Sequence, residues 1–126
     1  MGISANAMVA PISSATATTL LADRLADGEK LLVAISVVGD RSDYDVWQRR
    51  RKRWINKTSA ALLQLYEADG ASDACRRAIG HALDTLCQTL PQPGVWHEDL
   101  AFELAYTRGA LDLIRALPAN LDGLRF

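Results

Sequence analysis

The chain has 126 residues, 49% of them hydrophobic and 23% charged, and a formal net charge of -1. That length suits one domain with its own core, burying roughly two-thirds of the unfolded surface, and the composition excludes an intrinsically disordered chain. A near-neutral balance excludes a global field drawing the protein to nucleic acid or an anionic membrane, so any such attraction must come from a local patch.

Residues 1–13 are small and polar with little periodicity and contain Pro11, which predicts a flexible leader ahead of a bundle domain over 14–126. They lack the pattern of a secretory signal, and Asn6 stands where myristoylation of Gly2 would need Ser or Thr. The strongest apolar run, Leu31 to Val38, is far short of the roughly 18 residues that span a bilayer. Cytoplasmic residence without membrane attachment is the expectation.

From Ser14 to Val38, Leu21, Leu25, Leu32 and Ile35 follow helical spacing, with Leu20, Leu31 and Val38 widening the stripe. A long helix is predicted, weakened at Gly28 by about 1 kcal/mol relative to alanine. The β-branched Val33, Ile35, Val37 and Val38 leave a buried strand as the alternative for its second half. Gly39-Asp40-Arg41 forms a turn, and Ser42 with Asp43 and Asp45 has the form of an N-cap with an acidic first turn. The second helix then runs to about Glu67, burying Trp47, Trp54, Ala61, Leu62 and Leu65. Ala68-Asp69-Gly70-Ala71 stops it.

Ser72 and Asp73 open a third helix with Ile79, Ala82, Leu83, Leu86 and Leu90 on its apolar face, and Pro91-Gln92-Pro93-Gly94 ends it. Cys75 and Cys87 fall on this helix about 18 Å apart by its rise, too far for a disulfide, so both are expected as reduced thiols. A fourth helix from about Trp96 to Leu117 aligns Leu100, Leu104, Thr107, Leu111 and Ile114, and Pro118 closes it. Ala119 to Phe126 either frays or docks on the bundle through Leu121, Leu124 and Phe126. Four amphipathic segments with short connections predict an all-α, single-domain antiparallel bundle.

The densest chemistry lies in Arg49-Arg50-Arg51-Lys52-Arg53, five consecutive basic residues between Trp47 and Trp54. At about 100° per residue the two tryptophans share a face with Arg51 between them. That makes Trp47, Arg51 and Trp54 a structural cluster or pocket, in which Arg51 stacks on an indole or pairs with a carboxylate such as Glu103. Arg49, Arg50, Lys52, Arg53 and Lys57 point elsewhere and are the candidate partner-binding residues. They are equally a solvated helix face whose stems cover apolar surface.

Metal binding has no pattern behind it, since Cys75, His81 and Cys87 are spaced by six and His97 stands apart. No glycine-rich phosphate loop or nucleophile elbow is present. Glu98, Asp99 and Glu103 are better read as serving the start of the fourth helix than as acid–base groups. No catalytic residue, metal or cofactor is therefore expected, and the chain reads as a non-enzyme.

Asp27-Gly28-Glu29-Lys30-Leu31-Leu32 in the first helix, Asp43-Tyr44-Asp45-Val46-Trp47 with Trp54 in the second, and Leu111-Asp112-Leu113-Ile114-Arg115-Ala116-Leu117-Pro118 in the last resemble helical accessory modules of bacterial antiviral and signalling proteins, including some that carry TIR domains. The resemblance spans most of residues 20–118. It implies an adaptor or regulatory role through binding another protein, and it admits a homo-oligomer. The alternative is a nucleic-acid-binding regulator using the Arg49–Arg53 cluster, whose affinity would fall steeply with salt.

Overall fold

The computed structural model describes residues 14–68 and 72–121 as four α-helices with no strand among them. They are α1 (Ser14–Ala34), α2 (Arg41–Tyr66), α3 (Asp73–Leu86) and α4 (Trp96–Leu121). Each helix packs against two others in the cyclic order α1, α2, α3, α4, and α2 also meets α4 across the diagonal. The chain is an all-α bundle, as its periodicity predicts. The expected leader over 1–13 and the docking of Leu124 and Phe126 lie outside the described residues.

α1 ends before Val38. A 3₁₀ turn, Ile35–Val37, replaces the last predicted turn, and Val38 is extended. β-branched side chains crowd an α-helical turn, and this run ends in the tighter hydrogen-bonding pattern found at helix termini. The strand alternative does not occur.

The cap of α2 falls two residues earlier than expected. Asp40, not Ser42, accepts the Asp43 N–H at 2.8 Å, and the Asp43 carboxylate accepts the Gly39 N–H at 3.0 Å. This reciprocal pair satisfies two donors at the helix start, where carboxylates also oppose the positive dipole end. Ser72 caps α3 as predicted, its hydroxyl accepting from the Cys75 N–H at 3.1 Å.

Two boundaries differ because prolines act through the donors they remove. α3 stops at Leu86 with Cys87 as its C-cap, so Leu90 lies outside the helix and only Cys75 is within it. Continuing would oppose the carbonyls of Cys87 and Thr89 to Pro91 and Pro93, neither of which has an N–H, and Pro91 disfavours a helical Leu90. Gly94, at φ 91°, completes the reversal in a conformation suited to glycine. Pro118, by contrast, does not close α4, which runs on to Leu121. One proline withdraws one bond, and the remaining ladder carries the helix past it.

α2 buries Tyr44, Trp47, Arg51, Trp54, Thr58, Ala61 and Leu65, alternating spacings of three and four as in a bundle seam. The seam has two columns. Trp47 and Trp54 face α1, and each indole N–H donates to one of its carbonyls, Leu31 at 2.9 Å and Arg24 at 2.8 Å. At roughly 150–250 Å² of buried surface per aromatic ring, these are among the largest apolar contributions in the fold. Their spacing fixes the antiparallel register of α1 and α2.

Gly28, predicted as a weak point, sits where side chains of α2 and α4 close tightly on α1. A Cβ there would lie 2.6 Å from Leu111 Cδ2 and 2.7 Å from Trp54 Cζ2. The missing side chain lets α1 approach both α2 and α4.

Candidate functional site

The second column of the α2 seam is polar. Tyr44, Gln48 and Arg51 recur on one face of α2, opposite Asp99, Glu103 and Thr107 on α4. The Glu103 side chain is only 2% exposed, and its Oε1 accepts the Tyr44 hydroxyl and, at 3.4 Å, the Gln48 amide. Gln48 also donates to the Tyr44 oxygen at 2.9 Å.

Arg51, 7% exposed, donates from Nε to the Thr107 hydroxyl at 2.8 Å, while its Nη1 lies 3.7 Å from Glu103 Oε2. The Thr107 hydroxyl in turn donates to the Glu103 backbone carbonyl at 2.6 Å. Of the two expected engagements of Arg51, the structure has the carboxylate. No cation–π contact occurs among the described residues.

Burial pulls the Arg51 guanidinium down from its ordinary value, with Glu103 pushing it back up. Burial also drives the Tyr44 hydroxyl well above the ordinary tyrosine range, reinforced by its bond to Glu103. The phenol thus stays protonated and donating. Asp99, one turn before Glu103 and 8% exposed, has an Oδ1 without a hydrogen-bond partner. Tyr44 carries a further neighbour in Trp96, its ring centroid 6.0 Å away. The network holds α2 against α4 from inside the bundle, where Arg51 and Glu103 are both buried.

The surface residues of the basic run have a different setting. Arg24, Asp27, Lys30 and Leu31 on α1 and Arg50, Arg53, Trp54 and Lys57 on α2 line a groove of about 180 Å³. Asp27 engages the α1 wall, at 2.8 Å from Arg24 and 3.9 Å from Lys30. Arg50, Arg53 and Lys57 are exposed and make no ion pair within the described residues. Five cations against one carboxylate leave the groove with a formal charge of +4, in a chain whose total is -1.

The structure therefore brings Arg50, Arg53 and Lys57 together with Trp54 at the base, and leaves Arg49 and Lys52 exposed outside the groove. Trp47 and Arg51 are interior. Sequence reasoning missed Arg24 and Lys30, whose place depends on the α1–α2 register, and missed Tyr44 and Gln48 as partners of Glu103. The signal for the latter was available in the alternating three and four spacing of α2, which puts Tyr44 and Arg51 in one column.

A second concavity, apolar and about 910 Å³, lies between Pro91-Gln92-Pro93 and the outer face of α4 at Glu98, Ala101, Phe102 and Ala105. Among the described residues no cluster of three or more His, Cys, Asp or Glu side chains is placed to hold a metal ion, and no helix is long and apolar enough to cross a membrane. No protein-family model, curated protein or solved structure matches this chain.

Proposed function

We propose that this chain is a non-enzymatic helical adaptor or regulatory module that acts by binding another protein through the cationic face of α1 and α2. The observation that carries this is the groove: exposed Arg50, Arg53 and Lys57, without an ion pair among the described residues, gathered with Lys30 and Arg24 over Trp54. Surface cations left without partners in a chain of opposite net sign supply complementarity and steering for an anionic partner surface. A place in bacterial, cytoplasmic antiviral or signalling assemblies rests on the resemblance carried by the Asp27–Leu32, Asp43–Trp47 and Leu111–Pro118 segments.

The same cations serve the competing reading, a nucleic-acid-binding regulator, and salt distinguishes the two. Wild type and the Arg50→Glu/Arg53→Glu pair are compared by capture from lysate of the source cell and by titration with generic duplex and single-stranded nucleic acid. Proteins retained by wild type and lost by the charge-reversed pair, with nucleic-acid binding weak at physiological salt, are expected. Tight nucleic-acid binding with a steep negative salt slope, flattened in the pair, would reverse the assignment. Capture of the same proteins by both forms would remove the groove from it.

A further inference from the structure

The cationic face is not uniform along its length. On α2, Val46, Arg50, Arg53 and Lys57 follow spacings of four, three and four, and so form one stripe that begins with a valine and continues with three cations. Val46 is 50% exposed. On the α1 side, Val33, three residues after Lys30, and Val37, in the 3₁₀ turn that follows α1, are 73% and 74% exposed. The two indole bonds, Trp47 to Leu31 and Trp54 to Arg24, keep one antiparallel offset over seven residues. That offset sets Val46 level with Leu32, near the end of α1. Both sides are therefore apolar at the end near the α1–α2 turn; away from it the α2 stripe is cationic, while on α1 Lys30 and Arg24 flank Asp27.

We infer that the occupant of this face is an acidic amphipathic helix of a protein partner, its carboxylates against Lys30, Arg50, Arg53 and Lys57 and its apolar side chains at one end against Val33, Val37 and Val46. This rests on the protein-binding role proposed above and names the partner's chemistry. The stripe from Val46 to Lys57 is roughly 16 Å long at the helical rise, so about three turns of partner helix cover it. A groove between antiparallel helices receives a third helix as a ridge. The three valines distinguish this occupant from nucleic acid, whose phosphate backbone is charged along its whole length. The concavity over Leu31 and Trp54 distinguishes it from a flat anionic bilayer.

Fluorescence anisotropy with defined probes tests this. The parent probe is a labelled 16-residue helical peptide with glutamates at i,i+4 spacing and two leucines at one end. Its controls carry Gln for every Glu or Ser for both Leu, and a 20-base-pair duplex and phosphatidylserine vesicles complete the set. Protein variants are Arg50→Glu/Arg53→Glu and Val33→Ser/Val46→Ser, all at exposed positions, with thermal melts confirming folding.

The parent peptide is expected to bind at least tenfold more tightly than either control. Both variants should weaken it at least tenfold, while the valine pair leaves the affinity of the serine control unchanged. Equal binding of the leucine and serine peptides, indifference of the parent peptide to Val33→Ser/Val46→Ser, failure of the parent peptide to bind, or tighter binding of duplex or vesicles overturns the inference. The two levels fail separately. If charge reversal abolishes protein capture yet the peptide ignores the valines, protein binding stands and the amphipathic occupant falls; if capture survives charge reversal, the protein-binding role of this face falls with it.

Discussion

Arg51→Ala should be the most damaging single change in the basic run. It strips the donor from Thr107 Oγ1 and the cation from Glu103. Removing one partner of a buried ion pair costs about 3–5 kcal/mol. Here the charged contact is 3.7 Å, beyond hydrogen-bond range, and Glu103 keeps Tyr44 and Gln48 as donors, which places the ionic part near the bottom of that range. Loss of the two buried methylenes beyond Cβ adds about 0.8 kcal/mol each, so a total of about 4–5 kcal/mol is expected. Arg51→Met, which keeps apolar volume, should cost about half as much.

Adding Glu103→Gln to Arg51→Met should recover part of the loss, because it removes the uncompensated charge and leaves an acceptor for Tyr44. The assay is urea unfolding of Arg51→Ala, Arg51→Met and Arg51→Met/Glu103→Gln, with the exposed Arg49→Ala and Arg53→Ala as controls expected within about 0.5 kcal/mol of wild type. An Arg51→Ala protein as stable as these controls would refute the burial of Arg51. A double variant no more stable than Arg51→Met would show that the guanidinium does not offset Glu103.

Gly28→Ala should gain about 1 kcal/mol of helix propensity but lose more to overpacking, which typically costs 1–3 kcal/mol. Leu111 can turn its terminal methyl away, whereas the Trp54 indole is pinned by its bond to Arg24; a net loss in urea midpoint is expected, and a gain would show the contact to be soft. The raised Tyr44 value means that above about pH 10 the unfolded chain releases this proton while the folded chain retains it. Stability should therefore fall as pH rises through that range, and Tyr44→Phe should show a shallower decline between about pH 9 and 11, Tyr66 and Tyr106 being common to both; parallel slopes would refute it. Native protein should expose one thiol to a disulfide reagent, Cys87, and a second only in denaturant, since Cys75 is fully buried and its thiol is pushed up by burial; two fast thiols in the native state would place Cys75 wrongly.

What the sequence made legible were features whose cause lies within one helix. The apolar stripes, the Ser72 cap and the shared face of Trp47, Arg51 and Trp54 follow from a period of 3.6 residues and from local hydrogen bonding. The pairing of Arg51 with Glu103 was within reach, because a buried guanidinium demands an anion and few carboxylates share an apolar face. Gly28 was not readable, since its role depends on Trp54 and Leu111 converging from two other helices. The α2 start was ambiguous because Asp40 and Ser42 are both good caps; the choice falls to Asp40 because Asp43 then answers with its own carboxylate. Pro118 misled because a single proline weakens a helix without ending it, whereas Pro91 and Pro93 together removed the donors of one turn. The groove was half legible, its α2 wall from the basic run and its α1 wall only from the register.

The placement of the polar network follows from the unequal lengths of the helices. α3 has 14 residues against 26 in each of α2 and α4, and its C-cap Cys87 lies 3.5 Å from Ser59. Beyond that level, toward the N-termini of α2 and α4, α3 no longer packs on α2. Aliphatic side chains, Leu62 and Leu65 with Leu117, occupy the half enclosed by four helices. The ladder of Tyr44, Gln48, Arg51, Glu103 and Thr107 occupies the other. Aliphatic contacts alone tolerate a shift of one helix past its neighbour, while a slip of one turn would part Arg51 from Thr107 and leave Glu103 buried without its cation, a penalty that specifies one register. The indole bonds to Leu31 and Arg24 do the same between α1 and α2. A surface groove whose two walls are locked from beneath in this way is already formed in the free chain, so for the partner proposed above ordering its backbone would add little to the cost of binding.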